Sequence, residues 1–581
     1  MTIFVAKRAR IVAKEHAENV TQAAGDRQRE CLPLAAPVAC IMRDRMTASS
    51  KQSWLDALAA FVLAIVPLVL YRKIVRLWWT YDDPFHLRRV IVYDYPALFF
   101  DRPLWHGIPA RVFTPLLLAS MKFDYARFGL NARAFYLHQL IAFAIIPVMF
   151  YFFLRLWLTR AWSFAAALTS ILAPPMIEIV QQIMLRHYVE GISIAIGAAI
   201  LAVIGFRRDD RRFTLASAAL YLVAMSAKEV FVPLPFVLAV MPEGDLRRRL
   251  KHLLPHGILL ALYSVWRTVM LGQGVKPYGW TLRPNEWPLV LTKVPVRVLK
   301  QFVATGGAAG IVMVIALLVC IVIATLRLRG AIFVALMAAA AAVLPIVPLA
   351  VDMKVRFGLM SWIVAILGAA FISRTNIRPA ISAMLFGIVM VCAVLVNRAQ
   401  WSSTYRFMKR MSDETRTVRD LAPDELLRDP ATPPPTMDEM IALYNAKGRA
   451  LYDDRPLCDG SLNARRLFNW DPGMHVVREI QRSELDPICK SIRVEPLRAD
   501  LTVEDGVLFW NLGPYPNGQY SFIFRDGFQS FDVRPRLGYR LEHVPVLPLI
   551  VRYRSPDGWT TYSPQLVVDF EHPKPIHWER K

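Results

Sequence analysis

Cysteine is scarce and poorly placed for chemistry. Six occur in 581 residues, none in a Cys-x-x-Cys pair or at a Cys/His metal spacing, which excludes a thiolate metal centre and a dithiol redox motif. Cys320 and Cys392 lie inside apolar runs, so only Cys458 and Cys489, in the polar tail, are placed to pair. Charge is thin as well: 20% of residues are charged against 55% hydrophobic, and the mean hydropathy of +0.35 excludes an ordinary soluble enzyme of this size. The net charge of +23 sits largely in short clusters between apolar runs, where retention of Lys and Arg at the cytoplasmic face explains it, and nucleic acid drops out as a partner. Also missing are internal repeats and mid-span charges, which transporters built from paired halves carry. Residues 1–53 lack the apolar core of a signal peptide; they read as a disordered cytoplasmic tail, with the native start at Met46 or Met42.

What is present is a series of apolar runs. They fall at 55–75, 135–156, 161–180, 187–206, 214–227, 230–241, 253–271, 310–326, 331–351, 357–372 and 380–396, about 11 membrane spans in all. The fifth and sixth are short and flank Lys228-Glu229, which predicts two helices meeting in a tight turn. Basic residues recur at the even-numbered connections: Arg155 with Arg160, the run 207–212, Arg247 to Arg249 with Lys251, Arg327 with Arg329, and Arg374 with Arg378. The N-terminus is then cytoplasmic and the tail extracytoplasmic, on the same face as Asp82, Asp83, Glu178, Arg186, Lys228, Glu229, Arg267 and Arg356. The expected domains are the tail 1–53, a membrane domain 54–397 with a long first outer loop 81–133, a helical linker region 398–475, and a β-rich extracytoplasmic domain 476–581. In the outer loop, alternating apolar and polar residues predict short interfacial helices. From 476 onward, period-two alternation between Gly, Pro, Asn and Asp turns predicts a small β-sandwich. A pair Cys458–Cys489 would form there under oxidising conditions.

The acid pair in Tyr81-Asp82-Asp83-Pro84 stands at the edge of the first run. Such a pair can take a proton, orient a hydroxyl or hold a metal; it can equally cap a juxtamembrane helix. Transfer from a lipid phosphate needs fixed cations for the phosphate and a carboxylate base in one cavity, and Arg186, Lys228, Arg267 and Arg356 are the cations available. Glu178, Glu229 and His86 could orient sugar, acceptor or cations, and His187, beside Arg186, could touch phosphate. An Arg at a helix end can also be an anchor, and Lys228-Glu229 an ion pair fixing a turn. Among His86, His106, His138 and His187 no metal spacing exists. A divalent metal held by Asp82 and Asp83 is compatible with the pattern but not demanded by it.

An ordered set of stretches resembles the GT-C superfamily of polyprenyl-phosphate-sugar-dependent glycosyltransferases, in particular its protein O-mannosyltransferase-like and TMTC-like branch. The set comprises Tyr81-Asp82-Asp83; Phe113-Thr114-Pro115-Leu116, then 123–131 and His138; Pro174-Pro175-Met176-Ile177-Glu178 with Arg186; Ala224-Met225-Ser226-Ala227-Lys228-Glu229 with Pro233; Tyr263-Ser264-Val265-Trp266-Arg267 with Tyr278-Gly279; and Arg356-Phe357. The resemblance implies a polytopic α-helical GT-C-like membrane protein. It implies inverting transfer of a sugar from a polyprenyl-phosphate donor to an extracytoplasmic glycan, lipid or protein. Asp82 or Asp83, with Asp83 slightly favoured, would be the base; Arg186, His187, Lys228, Arg267 and Arg356 would bind donor phosphate. The chain departs from the family at Ser226-Ala227-Lys228-Glu229, one residue longer than usual, at Gln181-Gln182, and in lacking a helical-repeat tail. The setting expected is a bacterial inner membrane. The rivals are an O-antigen ligase or polymerase type of enzyme and a non-enzymatic transporter or scaffold.

Overall fold

The computed structural model describes residues 50–106, 112–241, 243–272, 287–328, 355–504, 507–524, 527, 529–540 and 545–581. The chain divides into two units, Met1–Val62 and Leu63–Lys581, and the candidate site lies wholly in the second.

Seven helices are long and apolar enough to cross a membrane: Ser53–Leu70, Ala132–Arg155, Ile183–Arg208, Leu246–Leu271, Gly306–Arg327, Val355–Arg374 and Pro379–Asp420. Arg160–Ser170 and Pro174–Gln181, bent by 61° where Pro174 starts a new helix, make an eighth if counted as one broken span. Apolar side chains stay exposed along these helices at helical spacing, as at Leu254, Ile258, Leu262, Val265 and Val269. Water would penalise such a stripe and lipid would not, so this is a multi-pass membrane protein.

The count of about 11 is not reached among the described residues. The expected spans at 214–227 and 230–241 are the helices Arg211–Ala227, 17 residues, and Leu234–Val240, 7 residues, both shorter than the crossing helices. The one expected at 331–351 lies outside the described residues. Lys228 ends the first of the two short helices by turning to extended backbone, a turn follows at Glu229–Phe231, and Pro233 precedes the next helix. The helix Arg186–Arg208 comes so close to this turn that a Cβ on Gly191 would stand 2.3 Å from the Phe231 ring. Glycine at 191 thereby sets how near Lys228 and Glu229 come to the neighbouring helix.

The helix Pro379–Asp420 runs 42 residues without a break and stops just before Pro423. At 1.5 Å per residue it is about 60 Å long, twice the ~30 Å of hydrocarbon, so its second half stands clear of the membrane. The region read as a helical linker, 398–475, therefore begins as an extension of a span. It continues as a small α/β unit whose mixed sheet has strand order β2-β1-β3-β4. Its strands are β1 (Glu425–Arg428), β2 (Arg449–Leu451), β3 (Arg466–Asp471) and β4 (Val476–Ile480). Strand β1 lies parallel to both β2 and β3, so the helix Pro434–Tyr444 is the crossover that parallel neighbours require. Strands β1 and β2, of four and three residues, are too short to show a period, which is why the sequence pattern concealed this half of the sheet.

The expected sandwich is present. Strands β5 (Leu497–Glu504), β6 (Val507–Gly513), β9 (Arg536–Arg540) and β12 (Ile576–Arg580) form one antiparallel sheet, and β7 (Gln519–Phe524), β8 (Gln529–Val533), β10 (Val546–Arg554) and β11 (Thr560–Asp569) the other. Every second residue of β5 turns inward: Leu497, Ala499 and Leu501 share one core with Phe522, Val551 and Leu566 from the other sheet. Cys458 and Cys489 are joined in a disulfide. Burial pushes the Asp429 carboxyl up, but Arg552, Arg554 and Arg428 outweigh it and hold it at about 2, pinning the sandwich to the small sheet.

Candidate active site

Just before the acid pair, the chain is held from outside the membrane domain. Trp78 N donates to Ser412 Oγ at 2.6 Å, Thr415 Oγ1 donates to the Trp79 carbonyl at 2.7 Å, and Trp79 Nε1 donates to Tyr444 OH at 2.8 Å. Ser412 and Thr415 belong to the second half of Pro379–Asp420. Tyr81 then takes a positive φ of 45°, uncommon for a bulky residue, and the helix Asp83–Val92 begins.

The two aspartates have opposite surroundings. Asp83 is fully buried; its Oδ2 accepts from Thr80 N at 2.9 Å and its Oδ1 from Met184 N at 2.9 Å. Asp83 thus ties its own loop to the turn Ile183–Leu185. Burial pushes its pKa up to about 7, against the two backbone donors. Asp82 is exposed, and its side chain makes no hydrogen bond among the described residues, so it does not act as a helix cap. Desolvation by the surrounding protein raises its pKa, while Arg356 and Arg89 pull it down. Arg89, two turns further along the helix, escaped the sequence reading; Arg at that spacing from an acid was the available signal.

Each of three cations is held by a carboxylate. Glu178 Oε2 accepts from the backbone N of Arg356 at 2.8 Å and its Oε1 from Arg356 Nη1 at 2.7 Å. Glu229 Oε1 accepts from Arg267 Nε at 3.1 Å, and Glu229 Oε2 lies 3.7 Å from Lys228 Nζ. The glutamates therefore orient cations. Lys228 also lies 5.9 Å from the centre of the Tyr188 ring. Near these cations sit buried polar atoms without a hydrogen-bond partner among the described residues: His86 Nδ1 and Tyr263 OH. His187 is within electrostatic reach of Lys228, His86 and Arg356, and Tyr263 of Glu229 and Arg267. Burial, with Arg89 and Lys228 adding to it, holds the His86 pKa down to about 3, so this imidazole is neutral.

Arg186 does not join them. Fully buried, it donates to Asp124 Oδ2 at 2.5 Å and to the Phe135 carbonyl at 2.7 Å. His138 Nδ1 lies 2.8 Å from the other oxygen of Asp124. Asp124 was the partner the sequence reading missed, although a lone acid within the quoted stretch 123–131 was visible. Among the described residues no three His, Cys, Asp or Glu side chains converge as a metal site.

No protein-family model matches the chain, and no curated protein matches it. Among solved structures it is similar to ArnT from Cupriavidus metallidurans bound to undecaprenyl phosphate, at 14% identity and a TM-score of 0.40, covering 78% of this chain and 93% of that one. It is also similar to the Archaeoglobus fulgidus oligosaccharyltransferase tethered to an acceptor peptide, at 9% identity and a TM-score of 0.42, covering 84% and 76%. Likenesses this loose fix no activity.

Proposed function

We propose that the chain is a GT-C-type membrane glycosyltransferase, moving a sugar from a polyprenyl-phosphate donor to an acceptor on the extracytoplasmic face of a bacterial inner membrane. The observation that carries the reading is the set of carboxylate-held cations Lys228, Arg267 and Arg356, with the unpartnered His86 in electrostatic reach of Lys228, Tyr263 in reach of Arg267, and the open carboxylate of Asp82 in reach of Arg356. Unpaired buried polar atoms are costly, and fixed cations beside them suit an anion that supplies acceptor oxygens. A lipid phosphate meets both needs.

In this mechanism Asp82 takes the proton of the acceptor hydroxyl as its oxygen bonds to the anomeric carbon. The bond from that carbon to the phosphate oxygen breaks on the opposite face, which inverts the configuration. Lys228, Arg267 and Arg356 take up the charge that grows on the departing phosphate. Asp83 fixes the loop, and Arg186 braces the helix Arg186–Arg208 through Asp124. The O-mannosyltransferase-like branch remains the reading of donor class drawn from the sequence motifs.

The test is transfer from labelled polyprenyl-phosphate hexoses and pentoses to cell-envelope fractions by the purified protein in nanodiscs. Transfer by wild type that Arg267→Ala and Lys228→Ala abolish supports the reading. Absence of transfer across the whole donor panel overturns it.

A further inference from the structure

A half-open recess lies on the small α/β unit. It has a volume of about 240 Å³ and is lined by Asn469, Trp470, Asp471, Arg478, Glu484 and Ile488, among others. Its walls are fixed. Arg478 Nε donates to Asp471 Oδ2 at 2.9 Å, while its Nη1 and Nη2 donate to Glu484 at 3.0 and 2.5 Å. The helix Leu485–Ser491, which carries Ile488, is pinned by the disulfide between Cys489 and Cys458. The cations of Lys409 and Arg410 lie 6.0 and 5.7 Å from the Trp470 ring centre and hold the indole in place.

The chemistry of the recess selects a ligand class. The one guanidinium in this lining is already bonded to two carboxylates, Asp471 and Glu484, so it is not free to take up an anion. A carboxylate already paired to Arg retains lone pairs that can accept from hydroxyls, and Asn469 offers an amide. An indole beside pre-oriented polar groups is an apolar plate with a polar edge, which matches the C–H face and hydroxyl rim of a sugar ring. The volume is below the roughly 300–1,000 Å³ of sites that bury drug-sized molecules, so it suits one ring of a longer chain.

Its position ties it to the acid loop. Lys409 and Arg410, which abut Trp470, stand two and three residues beyond Phe407, whose ring lies 6.5 Å from that of Tyr81. One stretch of helix, Phe407 to Arg410, thus stands beside both a wall of the recess and the loop carrying Asp82.

We infer that the recess around Trp470 binds a neutral saccharide and serves as an acceptor-glycan subsite. Saccharide binding stands by itself; the acceptor role rests on the transferase reading. The experiment titrates full-length protein in nanodiscs, without donor, with maltotetraose, mannotetraose, chitotetraose and, as an anionic control, tetragalacturonate, followed by saturation-transfer difference NMR. Wild type is expected to bind at least one neutral probe saturably. Trp470→Ala weakens it roughly tenfold, Trp470→Phe retains most of it, and Asn469→Ala weakens it severalfold. The inference is overturned if no neutral probe binds, if only tetragalacturonate binds, or if Trp470→Ala and Asn469→Ala both bind like wild type. Binding without any transfer would sink the transferase reading and leave the recess standing. Transfer without binding would do the reverse.

Discussion

Asp82 and Asp83 are adjacent in sequence, and the structure predicts that the same conservative change at each does a different kind of damage. In Asp83→Asn one oxygen can still accept, but the new amide group faces either Thr80 N or Met184 N, donor against donor. One buried hydrogen bond is lost and one buried N–H is left unpaired, a cost of about 1–3 kcal/mol in stability. Asp82→Asn breaks no hydrogen bond among the described residues, so its stability should stay within about 0.5 kcal/mol of wild type. Loss of a general base, however, slows the chemical step roughly 10²- to 10⁴-fold, equivalent to about 3–5 kcal/mol of transition-state stabilisation. The assay pairs thermal unfolding in detergent, followed by aggregation or fluorescence, with the initial rate of sugar transfer at equal folded protein. Expected is a folded, nearly inactive Asp82→Asn and a less stable Asp83→Asn with residual rate. A stable, inactive Asp83→Asn together with a fully active Asp82→Asn would refute the assignment and make Asp83 the base.

Three further outcomes follow from the geometry. Glu178→Gln removes the charge that fixes Arg356, and should raise the KM for a polyprenyl-phosphate donor roughly tenfold or more with a smaller effect on kcat, measured by donor titration. Asp429→Ala leaves the buried Arg552 without its counter-charge and should cost about 3–5 kcal/mol. Because the folded-state pKa of Asp429 is depressed to about 2, its contribution is present above the ordinary carboxylate range and is lost as pH falls through about 4 towards 2; acid unfolding of wild type and variant should converge there. Gly191→Ala forces a methyl group against Phe231 and should cost about 1–3 kcal/mol, with transfer lowered because Lys228 and Glu229 are displaced; the paired Phe231→Leu change should restore part of both.

Much of this architecture could be read from the chain, for reasons that differ by element. Alternation in Gln519 to Phe524 and in β10 announces strands because one face must be apolar, and charges at the borders of apolar runs are visible since they are costly there. Lys228-Glu229 was legible as a turn between two short helices. What escaped was who holds whom. Arg186 and Asp124 are 62 residues apart, and Arg356 and Glu178 are 178 apart, so no local pattern links them. Nothing in Asp82-Asp83 tells which side chain points inward, because that is decided by Met184, a residue from another helix. Strands β1 and β2 were hidden by their shortness and by the helix that runs into their sheet.

The hydrogen bonds that set the acid loop join residues 334, 336 and 365 positions apart. Contacts of such separation cannot form until the distant partner has been synthesised. A ribosome that has delivered every described crossing helix up to the start of Pro379–Asp420 has made a chain that can sit in the bilayer with Asp82 already at its surface, yet with nothing to grip Trp78 and Trp79. The fixed form of the acid loop thus arrives late in synthesis, with the segment 412–444, and a chain ended before it is left with Trp78 and Trp79 unheld.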